Sequence, residues 1–280
     1  MRTVDTAKVR KAVEELCLKA NFELRKDVLR ALRTALGREK SARAKGILRS
    51  LIENARLAKA KRIAICQDTG MAVVWMEIGQ GVRFTGGSLR RAINDGVKAA
   101  YKKGYLRKSV VGDCIIRRNT RTNTPAIIMT EIVDGDRVKI EVSPKGFGSE
   151  NKSRIKMFKP TASLREIKDF IRDVVMQAGP DACPPLVLGI GVGGTFETAA
   201  VLAKKALLRP VGKHNLNKSL AALEKELFDE INALGIGPMA LGGRTTVLGV
   251  NILDYPTHIA GFPVAVNVSC HATRSASRTI

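Results

Sequence analysis

Aromatic residues are scarce in this 280-residue sequence, at 4% of the chain, with a single Trp. Proteins that bind unpaired nucleic-acid bases stack them on aromatic side chains, so this scarcity argues against that class. The sequence also lacks any uninterrupted apolar run of about 18 residues, which excludes a membrane-spanning helix. The first residues lack the apolar segment of a secretory signal peptide, and we therefore expect a cytoplasmic protein.

Cysteine is sparse and irregularly placed, at Cys17, Cys66, Cys114, Cys183 and Cys270. An odd, widely spaced set in a cytosolic chain of this size does not indicate a disulfide framework. The long gaps between Cys66, Cys183 and Cys270 fit no zinc finger, whose ligands come in closely spaced pairs. Cys17 and Cys114 have the surroundings of ordinary core or loop thiols. The other three each follow or precede an apolar run at a turn, so either core thiols or a metal or cluster site remains open.

Acidic residues are few, with 26 Asp and Glu against 48 Lys and Arg, which gives a net charge of +22. Residues 1–62 alone hold 18 basic and 7 acidic side chains. Three explanations compete: a nucleic-acid surface, an acidic partner subunit, and a field that attracts anionic substrates. Because the stacking aromatics and the known nucleic-acid motifs are missing, a basic nucleic-acid-binding protein is only a remote alternative.

Hydrophobic periodicity predicts an α+β fold with a helical N-terminal portion followed by mixed strands and helices. The predicted helices cover residues 6–36 with a break near Asn21, then 41–61, 88–103, 163–179, 195–208 and 217–234. The predicted strands cover residues 71–78, 126–133, 137–142, 185–192, 245–252 and 264–268. The sequence DGD at 134–136 predicts a hairpin turn between two of these strands.

No internal repeat, low-complexity tract or long linker interrupts the chain. We therefore expect a single compact subunit, with one catalytic domain over residues 1–280. Within it, composition separates a basic helical portion, 1–62, from an α/β portion, 63–280.

A glycine-rich segment, GIGVGG at residues 189–194, lies between a predicted strand and a predicted helix. Its spacing satisfies the G-x-G-x-x-G pattern of dinucleotide-binding turns. That function also needs a second strand ending in an acidic residue about 20 positions later, and residues 209–215 supply neither. We therefore reject a dinucleotide site. The glycines can still let a ligand approach the backbone or place amides around an anion.

Four separated motifs carry a resemblance to a known family. Residues 65–70 read ICQDTG, a middle part contains NTPA at 123–126 and PKGFGSEN at 144–151, the segment 183–200 begins with CPP, and the last motif extends from His258 to CHA at 270–272. In this order they resemble class I, iron–sulfur fumarate hydratases and the related L-tartrate dehydratases. The resemblance covers nearly the whole chain, and the chain ends shortly after the third cysteine, as the family's alpha subunits do. Met129 departs from the pattern, since many relatives have His there, but it lies outside the cysteine motifs.

The resemblance implies that Cys66, Cys183 and Cys270 each bind one iron of a [4Fe–4S] cluster, which makes 63–280 the cluster-binding portion. Three thiolates for four irons leave one iron open to act as a Lewis acid on the substrate hydroxyl. The family positions implicated in proton transfer match Asp68 and His258. Which of the two takes the proton is open.

Three further residues match family positions that contact the substrate, namely Gln67, Arg107 and Gly148. Arg107 has the strongest physical case, because a guanidinium group binds a carboxylate through two parallel hydrogen bonds. Gly148 would offer its backbone amide. The competing interpretation for Arg107 is an ordinary surface arginine among many basic residues.

The implied function is reversible hydration of fumarate to malate by a hydro-lyase alpha subunit. The alternative is the alpha subunit of L(+)-tartrate dehydratase, which converts tartrate to oxaloacetate. In the family, further substrate-binding and catalytic groups come from a beta subunit. We therefore expect a heteromer of two alpha and two beta subunits.

Overall fold

Helices and strands follow one another much as the hydrophobic periodicity predicted, and the computed structural model describes all residues from 1 to 280. The helices are α1 Thr6–Phe22, α2 Lys26–Arg38, α3 Ala42–Lys61, α4 Leu89–Lys103, α5 Phe147–Glu150, α6 Leu164–Ala178, α7 Phe196–Ala206 and α8 Lys218–Ala233. The strands are β1 Arg2–Asp5, β2 Met71–Gly79, β3 Val82–Thr85, β4 Ile127–Val133, β5 Val138–Lys145, β6 Arg154–Phe158, β7 Leu186–Gly193, β8 Val247–Tyr255, β9 Phe262–Ser269 and β10 Ala276–Thr279. The predicted α+β fold is confirmed. None of the helices is both long and apolar enough to cross a membrane.

The chain divides into two units by its contacts. The first unit comprises Met1–Arg25, Ala55–Phe147 and Arg274–Ile280, and the second comprises Lys26–Asn54 and Gly148–Thr273. Each unit is built from separated stretches of sequence, so neither coincides with the portions 1–62 and 63–280 that composition distinguishes. One catalytic domain over the whole chain stays a prediction.

The first unit is built on a four-stranded sheet in the order β10-β5-β2-β4. Helix α1 packs against α4 and β5. The side chains that fill this core are mostly aliphatic, with Phe22 and Tyr101 as the buried aromatic residues, and they include Val74, Met76, Val97 and Ile140. Such a core agrees with the low aromatic content, since apolar burial alone supplies most of the folding free energy.

The predicted hairpin at 134–136 is wrong. Strand β4 runs parallel to β2 on one side, and β5 runs antiparallel to β2 on the other, so β2 separates them. The connection crosses the end of β2, where Gly79 N donates to Arg137 O at 2.8 Å and Gly81 N donates to Gly135 O at 2.9 Å. A turn sequence specifies a local reversal, but it cannot tell whether a third strand lies between the two arms.

The second unit is built on a four-stranded sheet in the order β6-β9-β7-β8. Strand β7 is parallel to β8 and antiparallel to β9. Leu188 and Ile190 of β7 join the core that α6 and α8 complete, whereas Ala265 of β9 packs with Ala199 and Ala203 of α7. Successive strand residues point to opposite faces, so the sheet carries helices on both of its faces.

The glycine-rich segment 189–194 has a packing role. A Cβ atom on Gly189 would lie 2.0 Å from Ala203 O, and one on Gly191 would lie 2.0 Å from Ala199 O. Both glycines lie within β7 and allow the α7 backbone to approach the strand closely. Helix–strand packing therefore accounts for the first two glycines of the G-x-G-x-x-G pattern, Gly189 and Gly191.

Replacing Gly191 by valine should destabilise the protein strongly. The new side chain would overlap the α7 backbone, and overpacking of this kind typically costs about 1–3 kcal/mol or more of the free energy of unfolding. At Gly46 in α3, an added methyl group would meet no atom within 4 Å, so Gly46→Ala should instead stabilise by about 0.5–1 kcal/mol. Urea unfolding of both variants tests the prediction. Equal stability of Gly191→Val and the parent would contradict the close packing.

Candidate active site

The segment from Ile65 to Gly70 is held from several sides within the first unit. Thr69 Oγ1 donates to Arg107 O at 2.8 Å, and the hydroxyl of Tyr101 lies 2.7 Å from Thr69 O and 2.9 Å from Gly70 O. Asn123 Nδ2 also donates to Gly70 O, at 3.1 Å. Tyr101 is fully buried, and this burial raises the pKa of its hydroxyl, which therefore stays a hydrogen-bond donor.

Gly70 is required at the end of this segment. Its φ is +73°, and a Cβ atom there would lie 2.7 Å from the Lys145 carbonyl carbon. Residues with a side chain rarely adopt this backbone conformation. The segment is thus pressed against the end of β5, which places Asp68 next to the turn that follows that strand.

Asp68 supplies the one carboxylate of the segment, and backbone amides anchor it. Its Oδ1 accepts from Gly70 N at 3.0 Å, and its Oδ2 accepts from Phe147 N at 2.7 Å. A Cβ atom on Gly146 would lie 3.1 Å from the same Oδ2, so the glycine leaves room for the carboxylate. The side chain is half-buried. Two backbone donors fix its orientation, and the remaining lone pairs of its oxygens are available to accept a proton or another donor.

Arg274 lies against the same segment, and sequence reasoning missed it. Its side chain is only 5% exposed, and Nη2 donates to Asp68 O at 2.5 Å. Its Nε and Nη1 are buried without a hydrogen-bond partner. A buried charge is normally paired, because leaving it uncompensated costs several kcal/mol. The only signal in the sequence was its place four residues after Cys270, and it was one of 48 basic residues.

The other candidates of the first unit are near Asp68. Cys66 and Gln67 precede it in the sequence, and the backbone of Arg107 contacts the same segment. Cys66 is half-buried, and its Sγ lies 3.3 Å from Oε1 of the exposed Gln67. Arg107 is also exposed, and its carbonyl is the acceptor for Thr69. The structure thus brings together four predicted residues of the first unit: Cys66, Gln67, Asp68 and the backbone of Arg107.

Cys183 and Cys270 lie at one edge of the sheet in the second unit. Val187 near the start of β7 pairs with Ser269 at the end of β9, so the two cysteines flank paired strand ends. His271 confirms their proximity, since its N and Nδ1 lie 3.4 and 3.1 Å from Cys183 O. Cys183 adopts a φ of 53°, a conformation that is uncommon for residues with a side chain and that concentrates at functional sites.

Gly148 belongs to the same edge. A Cβ atom on this exposed glycine would lie 3.2 Å from Asp181 O, two residues before Cys183. Lys152 holds the Asp181 carboxylate in an ion pair of 2.6 Å. The predicted backbone-amide contributor is therefore a neighbour of the second cysteine.

His258 lies at the opposite edge of this sheet. It belongs to the loop between β8 and β9, where Thr257 Oγ1 donates to Gly194 O at 2.9 Å, beyond the far end of β7. The eight residues of β9 separate its loop from Cys270, which corresponds to about 26 Å at about 3.3 Å per residue. His258 is exposed, and its Nδ1 accepts from Ala260 N at 3.1 Å. The structure therefore does not bring His258 to the two cysteines of its own chain.

The thiols of Cys66, Cys183 and Cys270 suit an iron–sulfur cluster chemically. None of the three forms a disulfide, none is fully buried, and thiolates are the usual ligands of such clusters. Cys17 fits poorly, because complete burial raises the pKa of its thiol to about 12. Cys114 is exposed, so accessibility does not set it apart. No three His, Cys, Asp or Glu side chains converge to hold a single metal ion, but in a four-iron cluster each cysteine binds a different iron.

Comparison with known proteins identifies the family. The model of the fumarate hydratase (Fumerase) family matches residues 10–279. This chain belongs to the fumarate hydratase family. A protein of Methanocaldococcus jannaschii, named "Putative L(+)-tartrate dehydratase subunit alpha", is 40% identical over 98% of both chains. Proteins named "L(+)-tartrate dehydratase subunit alpha" from Escherichia coli K12 and Shigella sonnei are each 32% identical over 89% of this chain and 82% of their own.

The predicted family is therefore confirmed, and the fumarate hydratase family, with its tartrate dehydratase relatives, is one of hydro-lyases. Such enzymes need a group that moves a proton at carbon and a group that assists departure of hydroxide. Among the candidate side chains of this family member, Asp68 is the carboxylate that two backbone donors orient.

Proposed function

We propose that the chain is the alpha subunit of a hydro-lyase that interconverts fumarate and malate. The observation that carries the proposal is the orientation of the Asp68 carboxylate, which hydrogen bonds from Gly70 N and Phe147 N fix. Asp68 directly follows Cys66 and Gln67 in the sequence. A carboxylate that is oriented in this way can take a proton from the carbon next to the hydroxyl-bearing carbon of malate, and can return it to fumarate. The match to the fumarate hydratase family model supports the same reaction.

Cys66, Cys183 and Cys270 would hold the [4Fe–4S] cluster. When bound, the cluster would supply a Lewis acid that weakens the bond to the departing hydroxyl group. The chain's own contribution is to orient the substrate: the exposed Gln67 and Arg107 side chains and the Gly148 amide offer donors to its carboxylates.

Arg274 extends this donor set beyond the predicted residues. Its Nη2 fixes the Asp68 carbonyl, and we assign its other guanidinium N–H groups to a substrate carboxylate. A carboxylate would compensate the buried charge, which the protein itself leaves without a hydrogen-bond partner at Nε and Nη1.

His258 would act in the active site of a second copy of the chain. The length of β9 separates it from Cys270 within one chain, so it can serve a site containing that cysteine only in an assembly. The proposal therefore needs at least two alpha chains, in agreement with two alpha and two beta subunits. The names of the relatives as alpha subunits support a beta partner.

L(+)-tartrate is the second candidate substrate, because the relatives are named tartrate dehydratase alpha subunits. Tartrate carries one more hydroxyl group than malate, and a site that hydrogen-bonds this group would discriminate strongly between them. The test is to coexpress the chain with its beta partner anaerobically and to compare kcat/KM for malate, fumarate and L(+)-tartrate. A higher value for malate and fumarate supports the first candidate, and a higher value for tartrate replaces it. Activity of the alpha chain alone would contradict the heteromer.

Replacing Arg274 by alanine should raise KM for the dicarboxylate and lower kcat/KM by about 100-fold, because charged hydrogen bonds contribute about 1.5–3 kcal/mol each. Arg274→Lys, which keeps the charge, should recover part of the loss. The control is Arg278→Ala, four residues later, which removes only an exposed ion pair with Glu15. Steady-state kinetics and iron content together check the assignment. An unchanged KM in a folded, iron-loaded Arg274→Ala enzyme would show that Arg274 is merely structural.

A further inference from the structure

A cavity of about 650 Å³ lies in the second unit, bounded by α2, the loop after α7, α8 and the start of β8. This volume is within the range of about 300–1,000 Å³ that is usual for small-molecule sites. None of the residues that the hydro-lyase proposal uses lines it. It contains part of the N-terminal basic charge that the hydro-lyase proposal leaves unexplained.

The cavity joins an apolar lining to a cationic rim. Ala35, Phe228 and Val247 are among its apolar residues. Its charged residues are Arg30, Arg38, Lys213, Arg244 and Asp27. The four cations come from three separate segments of the chain and are exposed, so the fold concentrates positive charge around one hollow.

The single acidic residue of the lining has a structural role. Asp27 Oδ2 accepts from Val211 N at 2.7 Å and so ties the loop after α7 to α2. With four basic side chains and one acidic side chain, the lining carries a net charge of +3. Such a surplus favours a ligand with more than one negative charge.

The rim is too long for a small inorganic anion to span. Arg30 and Arg38 lie on one face of α2 and are separated by eight residues, about 12 Å along the helix. A second cavity of about 240 Å³ shares Gly212, Lys213 and Phe228 with the first and adjoins it. An occupant that touches both ends must therefore be an extended molecule, and the apolar lining favours one with an apolar body.

We propose that this cavity binds an organic phosphate, such as a nucleoside diphosphate, at a site separate from the hydro-lyase residues. Arginine matches phosphate oxygens through paired hydrogen bonds, and a phosphate group carries close to two negative charges. The phosphates would bind along the cationic rim, and the apolar body would cover the partly exposed Phe228 and Val211.

Calorimetric titration of the full-length chain tests the proposal, with ADP, adenosine, inorganic phosphate and malate as separate probes. ADP should bind with one-to-one stoichiometry and at least about tenfold more tightly than phosphate or malate, because only ADP offers both charge and an apolar body. Arg30→Ala with Arg38→Ala should weaken ADP at least about tenfold. The matched control, Lys159→Ala with Arg165→Ala, removes the same charge from exposed positions outside the cavity lining and should change the affinity less than about twofold.

A second variant separates a built site from general attraction. Ala31→Trp would fill the cavity without changing its charge, and it should abolish ADP binding while leaving the unfolding midpoint of the chain close to that of the parent. The proposal is overturned if ADP does not bind, if ADP and phosphate bind equally, if both charge variants weaken ADP alike, or if the folded Ala31→Trp chain binds ADP as the parent does. Any of the last three results would indicate only diffuse attraction to a basic surface.

Discussion

Serine at position 66, 183 or 270 is expected to remove the iron–sulfur cluster and, with it, the hydro-lyase activity. Serine keeps the size of the side chain but does not provide the thiolate that binds iron at neutral pH. Loss of the Lewis acid removes several kcal/mol of transition-state stabilisation, so kcat/KM should fall by at least about 10³-fold. The measurements are iron and sulfide per chain, the visible spectrum and the rate, all under anaerobic conditions.

The remaining two cysteines provide matched controls of different kinds. Cys17 lies in the core of the first unit, so Cys17→Ser should lower the free energy of unfolding while leaving the iron content unchanged. Cys114→Ser lies on the surface and should change neither. If all five variants lose iron alike, or if Cys114→Ser alone does, the ligand assignment is wrong. This comparison tests the assignment more sharply than activity does, because a misfolded variant also loses activity.

Local sequence signals predicted the regular elements well where each signal acts within one element. The capping box at the start of α6 is one case: Glu166 N donates to Ser163 Oγ at 3.2 Å, and Ser163 N donates back to Glu166 Oε2 at 2.8 Å. The break near Asn21 is another, since α1 ends at Phe22 and α2 begins at Lys26. Caps and apolar stripes depend on neighbours three or four residues away, so the sequence alone displays them.

Contacts between distant segments could not be predicted in this way. The hairpin prediction failed because β2, more than 50 residues earlier, inserts between β4 and β5. The short strands β1, β3, β6 and β10 have four or five residues each, too few for a clear alternation, and they were missed. Strand order depends on which faces bury the most apolar surface, and a single sequence does not report that.

The candidate site was likewise predicted where a local motif defines it and missed where distant contacts do. Family resemblance placed Cys66, Gln67 and Asp68 in one motif, and the structure shows how the backbone holds them. The resemblance did not indicate Arg274, whose significance comes from burial and from two guanidinium nitrogens without a hydrogen-bond partner. Nor did it reveal that His258 and Cys270, only 12 positions apart, lie at opposite edges of one sheet.

The distance between His258 and Cys270 within one chain leads to a second prediction, which is that activity recovers in mixed assemblies of two inactive variants. Asp68→Asn and His258→Asn are each expected to reduce activity by at least about 10²-fold, the usual contribution of a proton-transferring group. If His258 serves the site of a second chain, one site of a mixed pair receives Asp68 from one chain and His258 from the other. Coexpression of the two variants should then restore about a quarter of the parent activity, because half of the pairs are mixed and each has one intact site.

The alternative arrangement predicts a different result from the same experiment. If both residues acted within one chain, every site in a mixed pair would lack one of them, and coexpression would restore nothing. Mixing Asp68→Asn with Cys183→Ser provides an informative contrast. Asp68 and Cys183 are both assigned to the chain's own site, so this pair should show no recovery. Recovery with His258→Asn but not with Cys183→Ser would assign His258 to the neighbouring chain. Recovery with neither would exclude a shared site, and full activity of His258→Asn alone would remove this histidine from the mechanism.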